Sequence, residues 1–433
     1  MNTGRMTTFG SPPSGAGVRE LTIPPHVARP GRVARTISPA VEALRADPTT
    51  LEAFWREITD SGTPLIEGQG SERIYTFLYR GEAKTVGLIT NKIVDDTTFE
   101  DALLERIAGT DVWAVSLCLG SAWRGSYQLA VVDGAPSHLN EAQLAVLEQR
   151  RARSRAATPA DRHLSIDAWY ELLRHARPDA LARERGISGS VAAGPDAPAA
   201  VTPARAAQPG RIVPVEQSDI SAWWYLPADE PEPDGWNVLV MVDGDRWIER
   251  GTYLLDALAA TGALPQTAVL LIGHGELLER VAQLTCNPEF IDQICDLLSA
   301  PPSEVGRVTA SATRTTITGQ SLGGLTALYA QCLAPERFGA SVCQSGSFWW
   351  PNPRGGHPAE WITKTLEASE ASLGRIHLEV GTDEWVLLEP TRRLRKALEG
   401  RCEVLNYSEF DGGHDAACWT ISLPRALRAL RDA

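Results

Sequence analysis

Two periodicities divide this chain. Before about residue 185, short runs alternate apolar and polar positions: Arg73 to Tyr79, Lys84 to Thr90, Asp111 to Leu117 and Ser126 to Val132. Alternation with period two predicts half-buried strands, and the turn residues between them predict a β-sandwich. Val41 to Thr59 instead spaces Leu44, Leu51, Phe54, Trp55 and Ile58 as a helix does, with a break at Pro48. Glu141 to Arg155 and Ile166 to Arg174 read as amphipathic helices. From Ile212 to Ala433 strand-like and helix-like runs alternate, which predicts a parallel sheet covered by helices on both faces. Residues 186–211 are rich in Ala, Pro and Gly and almost free of bulky apolar residues, the composition of a linker. The expected organisation is a tail without order over 1–35, a first domain over 36–185, the linker, and a second domain over 212–433.

One motif in the second domain carries chemistry. Gly319-Gln320-Ser321-Leu322-Gly323 follows the β-branched run Arg314 to Thr318 and precedes a helical pattern from Leu322 to Leu333. Gly-x-Ser-x-Gly between strand and helix is how a sharp turn presents a serine as a nucleophile. The serine needs a base, and the base needs a carboxylate. In an α/β-hydrolase these follow in the order Ser, acid, His. His357, His377 and His414 lie downstream of Ser321. His377 sits inside a strand pattern and His357 in a glycine-rich loop. His414 lies in Asp411-Gly412-Gly413-His414-Asp415, after the strand-like Glu403 to Phe410, where this fold places its base. The acid is expected in the turn after Ile376 to Val380, where Asp383 and Glu384 compete. The oxyanion hole is expected from the Leu322 amide and the Asp245 amide, the latter after the apolar run Asn237 to Val242.

Composition narrows the class. The 433 residues are 43% hydrophobic, enough for more than one core. A net charge of −13 provides no general basic field for nucleic acid. Seven scattered cysteines, with no paired Cys or His spacing, predict reduced thiols and no metal site. No apolar run is long enough to span a membrane, and no secretory pattern precedes Pro24, so a cytoplasmic location is expected.

The chain resembles the enterochelin esterases, cytoplasmic enzymes that open ferric catecholate siderophores. In the first domain the resemblance rests on Phe54-Trp55, Gly62-Thr63-Pro64-Leu65, the stretch from Arg106 to Trp113, and Trp123-Arg124-Gly125-Ser126-Tyr127. In the second it rests on Gly319-Gln320-Ser321, Pro335 to Gly339, Gln344 to Trp350, and Asp411 to Asp415. It implies an immunoglobulin-like β-sandwich followed by an α/β-hydrolase domain, with Ser321 as nucleophile and His414 as base. It also implies that the acid lies three residues after Gly381, which is Glu384. A ferric tris-catecholate carries a charge of about −3, so local cations matter more than net charge. Arg280 occupies the family's arginine position, and Arg246 stands where family members often have an aromatic residue. Both are expected to contact the substrate, with Trp349 and Trp350 as aromatic walls for catechol rings. No cofactor is implied, because Fe(III) enters only as part of the substrate. Two other readings share these residues: a general carboxylesterase or acyltransferase of the esterase-D group, and a siderophore-binding protein with a relic triad.

Overall fold

The computed structural model describes all residues except 1–8, 14–21, 26, 28, 32, 188, 200–208, 217, 249–250, 353–358 and 433, so His357 lies outside the described residues. Contacts sort the chain into two units. One comprises Met1–Ala28, Ala199–Phe410 and Trp419–Ala433; the other comprises Arg29–Pro198 with Asp411–Cys418.

The Arg29–Pro198 unit begins with two helices divided at Pro48, as the break in periodicity predicts. Helix α1, Pro39–Ala46, is capped by Ser38, whose side chain accepts from the Val41 N–H. Helix α2, Leu51–Ser61, buries Phe54, Trp55 and Ile58. Strands β1 (Leu65–Glu67), β2 (Glu72–Arg80), β3 (Thr85–Thr90), β4 (Glu105–Arg106), β5 (Val112–Gly120) and β6 (Arg124–Val132) follow. Next come α3 (Glu141–Ala157), α4 (His163–Leu173), β7 (Ala176–Arg177), β8 (Glu184–Gly186) and β9 (Gly189–Ala193). They form two antiparallel sheets, in orders β1-β2-β5-β4 and β3-β6-β9-β8, with β7 also on β6. Tyr75, Phe77 and Val115 of one sheet share a core with Leu88, Tyr127 and Leu129 of the other.

Two compositional readings need correction. Strands β8 and β9 enter the stretch 186–211 expected to be a linker. Its small residues are there for close packing: Ser190 and Ala192 are fully buried, and a Cβ on Gly194 would lie 2.1 Å from the Ser121 carbonyl oxygen. Parts of the expected tail are also packed. The Phe9 ring lies 5.7 Å from that of Trp361, and Ile23 accepts a hydrogen bond from Asn352. Val33 is buried in the core shared by the two sheets.

The other unit holds an eight-stranded sheet, built from β10 (Arg211–Pro214), β11 (Ala222–Leu226), β12 (Asn237–Val242), β13 (Thr267–Ile272), β14 (Thr315–Gln320), β15 (Ala340–Gln344), β16 (Leu373–Gly381) and β17 (Cys402–Phe410). The order is β10-β11-β13-β12-β14-β15-β16-β17, and the six strands from β13 to β17 along that path run parallel. Its helices are α5 (Asp245–Ile248), α6 (Tyr253–Ala260), α7 (Leu277–Leu284), α8 (Pro288–Ser299), α9 (Leu322–Leu333), α10 (Trp361–Ala368), α11 (Leu388–Leu398) and α12 (Ala416–Arg431). Strands β12, β13 and β15 are buried almost throughout, as parallel strands with both faces covered require. Among the described residues no helix is long and apolar enough to cross a membrane.

Candidate active site

The parallel register sets several loops at the carboxyl ends of neighbouring strands. Gln320 pairs with Gln344, Gln344 with Glu379, and Gly381 with Phe410. Ser321, Ser345 and the turn after Gly381 therefore leave the same edge of the sheet, where open α/β sheets bind ligands.

Ser321 sits between β14 and α9 with φ 59° and ψ −120°, a conformation that side chains other than glycine rarely adopt. The flanking glycines make this turn possible. A Cβ on Gly319 would meet Val242 Cγ2 at 2.4 Å, and one on Gly323 would meet the same atom at 2.7 Å. The elbow is thus packed directly on the end of β12. The Ser321 hydroxyl lies 3.4 Å from that of Ser347, whose N–H donates to the Ser321 carbonyl at 2.9 Å. Leu322 heads α9 and Asp245 heads α5, and the first N–H groups of a helix have no partner within it.

The turn after β16 treats its two carboxylates differently. Glu384 is fully buried; Asp383 is half-buried. Glu384 Oε1 accepts from the Gly381 N–H at 2.8 Å and from the Ser345 hydroxyl at 2.6 Å. Trp419 Nε1 donates to that same hydroxyl at 2.9 Å. Ser345, at φ 48°, was not singled out by the residue pattern. Its signals are its place directly after a buried strand and within the Gln344 to Trp350 stretch that carries the family resemblance. Removing its hydroxyl strips Glu384 of one donor and the Trp419 N–H of one acceptor. Ser345→Ala is expected to lower kcat about tenfold at unchanged KM, read in steady-state ester hydrolysis.

Arg280 and Asp243 form a second polar centre. The guanidinium forks onto the carboxylate, with Nη2 to Oδ2 at 2.6 Å and Nε bonded to Oδ1. Asp243 is 3% exposed. Arg280, expected to face substrate, therefore has its charge engaged by Asp243. Burial alone would raise the Asp243 carboxyl, but Arg280 outweighs burial and holds it below the usual carboxylate range. This stabilisation is present above the unfolded value of about 3.9 and is lost as pH falls through the lower folded value. Arg280→Met is expected to cost about 3–5 kcal/mol, because it strands a buried carboxylate. A lowered midpoint in denaturant unfolding at pH 7 checks it, and the deficit should shrink in acid.

Arg246 is exposed on α5. Trp349 and Trp350, expected as walls for aromatic rings, are 5% and 0% exposed and belong to the core around α10, where Trp350 stacks edgewise 6.3 Å from Trp361. His377 is buried in β16 with Nε2 3.3 Å from Glu379. His414 lies on the connection between β17 and α12, in the segment Asp411–Cys418 that clusters with the Arg29–Pro198 unit. Among the described residues no group of three or more His, Cys, Asp or Glu is placed to hold a metal ion.

Known proteins match across both units. The profile of the enterochelin esterase N-terminal family matches residues 74–204, and that of a putative esterase family matches residues 216–430. An iron(III) enterobactin esterase of Escherichia coli (strain CFT073) is 30% identical over 347 residues, 75% of this chain and 80% of that protein. The chain belongs to the enterochelin esterase family. It is accordingly an esterase of the serine hydrolase type. The iron(III) enterobactin esterase of Dickeya dadantii is 29% identical over 88% of this chain and 92% of its own. The Shigella flexneri enterobactin esterase, solved in the presence of enterobactin, superposes with a TM-score of 0.69 at 26% identity, over 88% of this chain and 98% of that one.

Proposed function

We propose that this enterochelin esterase family member hydrolyses the ester bonds of a ferric catecholate siderophore such as enterobactin, in the cytoplasm, and so releases iron. What carries the reading is a serine held in a left-handed elbow within a chain that matches iron(III) enterobactin esterases across both units. The two sheets that share a core support an immunoglobulin-like β-sandwich for the first domain.

His414 takes the Ser321 proton as the hydroxyl attacks a lactone carbonyl. The Leu322 and Asp245 amides stabilise the tetrahedral oxyanion. His414 then protonates the departing alcohol and an acyl-enzyme forms. Water activated by His414 frees the linear acid. Glu384 holds the imidazole tautomer and stabilises its cation, and is itself held by Ser345 and Gly381. Opening the trilactone removes the preorganisation that makes the siderophore bind iron tightly. Arg246 faces the anionic substrate, while Arg280 acts on the same loop through Asp243.

The test is chromatography of products from ferric and iron-free enterobactin. Ordered appearance of linear trimer, dimer and monomer would establish the activity, and faster turnover of the ferric form would tie it to iron release. Hydrolysis of a simple aryl ester without cleavage of the trilactone would sink the siderophore and leave a general esterase.

A further inference from the structure

The segment that carries the proposed base clusters with the Arg29–Pro198 unit. Asp415, next to His414 and 2% exposed, takes three hydrogen bonds. Its Oδ1 accepts from the Ser126 hydroxyl at 2.8 Å and the Ala417 N–H at 2.9 Å; its Oδ2 accepts from the Ser126 N–H at 2.5 Å. A buried carboxylate keeps its charge only with such partners. Arg124, 5% exposed, works beside it. Its Nε donates to the Ala417 carbonyl at 2.7 Å, its N–H donates to the Asp411 carbonyl at 3.0 Å, and its guanidinium is bonded to Glu184. The Asn91 side chain donates to the His414 carbonyl.

Sterics repeat the message. A Cβ on Gly120 would stand 1.8 Å from Asp411 Oδ2, so the end of β5 is open only to admit that carboxylate. A Cβ on Gly413 would press on Lys92 Cβ at 2.9 Å. The backbone on both sides of His414 is therefore fixed by groups from β5, β6 and the turn after β3.

We propose that Ser126 and Arg124, acting through Asp415 and the Ala417 carbonyl, are positioning residues for the His414 imidazole. Residues of the first domain then contribute to the chemical step by way of the base. The inference rests on the reading of His414 as the base. A base displaced by about 1 Å loses on the order of 100-fold in rate, while the binding of substrate need not change.

The full-length Ser126→Ala and Asp415→Asn variants test this on two substrates, ferric enterobactin and 4-nitrophenyl acetate, with labelling of Ser321 by a fluorophosphonate as a third readout. Ser126→Ala retains the backbone N–H that Asp415 also uses, so the fold remains testable. The expected result is a loss of kcat of about 10- to 100-fold on both substrates alike, at KM within twofold of wild type. Labelling should slow by the same factor and still reach full stoichiometry. Unchanged hydrolysis of the small ester and unchanged labelling, with loss confined to enterobactin, would overturn the proposal and leave the first domain as a recognition element. Labelling that does not depend on His414, judged from His414→Ala, would overturn the base and this inference together. His414-dependent labelling that slows in both variants, in a protein that leaves enterobactin uncut, would uphold the inference and sink only the substrate.

Discussion

Ser321→Ala is expected to lower kcat for ester hydrolysis by about 10⁴- to 10⁶-fold, with KM for the ferric siderophore within twofold of wild type. Among the described residues, the hydroxyl within hydrogen-bond reach of Ser321 is that of Ser347. That hydroxyl is 3.4 Å away and belongs to a residue 3% exposed, whose own N–H is bonded to the Ser321 carbonyl. Any residual rate should come from the two helix-heading amides and from binding. The fold should survive, because alanine meets the same backbone strain at φ 59° that serine already bears. Glycine would relieve it. Ser321→Gly is therefore expected to be equally inactive yet more stable than Ser321→Ala by about 1 kcal/mol, seen as a higher melting temperature. Retention of a hundredth of the wild-type kcat in either variant would remove Ser321 from the nucleophile's place.

What the residues disclosed in advance follows from how local the physics is. The elbow was legible because a serine at positive φ, with strand behind and helix ahead, needs glycine two positions away on each side. The structure supplies the reason in Val242, which touches both glycine positions. Strand β12 and helix α9 were legible to the residue, because a buried parallel strand and a helix with a steady apolar face leave unambiguous patterns. Strand β9 was not, since Gly, Ser and Ala suit both a mobile linker and a strand pressed against β6. Arg280 shows a different limit. A sequence reveals that a cation is available on α7, but its partner Asp243 lies 37 positions away, just after β12. Trp349 and Trp350 show a third: an aromatic pair after a strand reads alike for a core and for a pocket, and both rings are buried in the core around α10. The Ser126–Asp415 contact spans 289 positions: the stretches at both ends carry the family resemblance, but nothing local in either says that they meet.

Glu384→Gln is expected to reduce kcat by about 10⁴-fold, whereas Asp383→Asn should stay within twofold of wild type. Glu384 Oε1 already receives two donors, the Gly381 N–H and the Ser345 hydroxyl. A glutamine in this buried place must turn its carbonyl oxygen toward them, since its NH₂ would face donor against donor. That orientation leaves the NH₂ for the imidazole. A donor cannot hold the Nδ1–H tautomer that the base needs, nor stabilise the cation formed when Ser321 is deprotonated. Asp383 is half-buried on the same turn, whereas the Gly381 N–H and the Ser345 hydroxyl both donate to Glu384. One carboxylate of this turn is therefore expected to serve the imidazole. A large loss in Asp383→Asn with little in Glu384→Gln would exchange the two roles. Small losses in both would mean that the base is oriented by a group outside this turn.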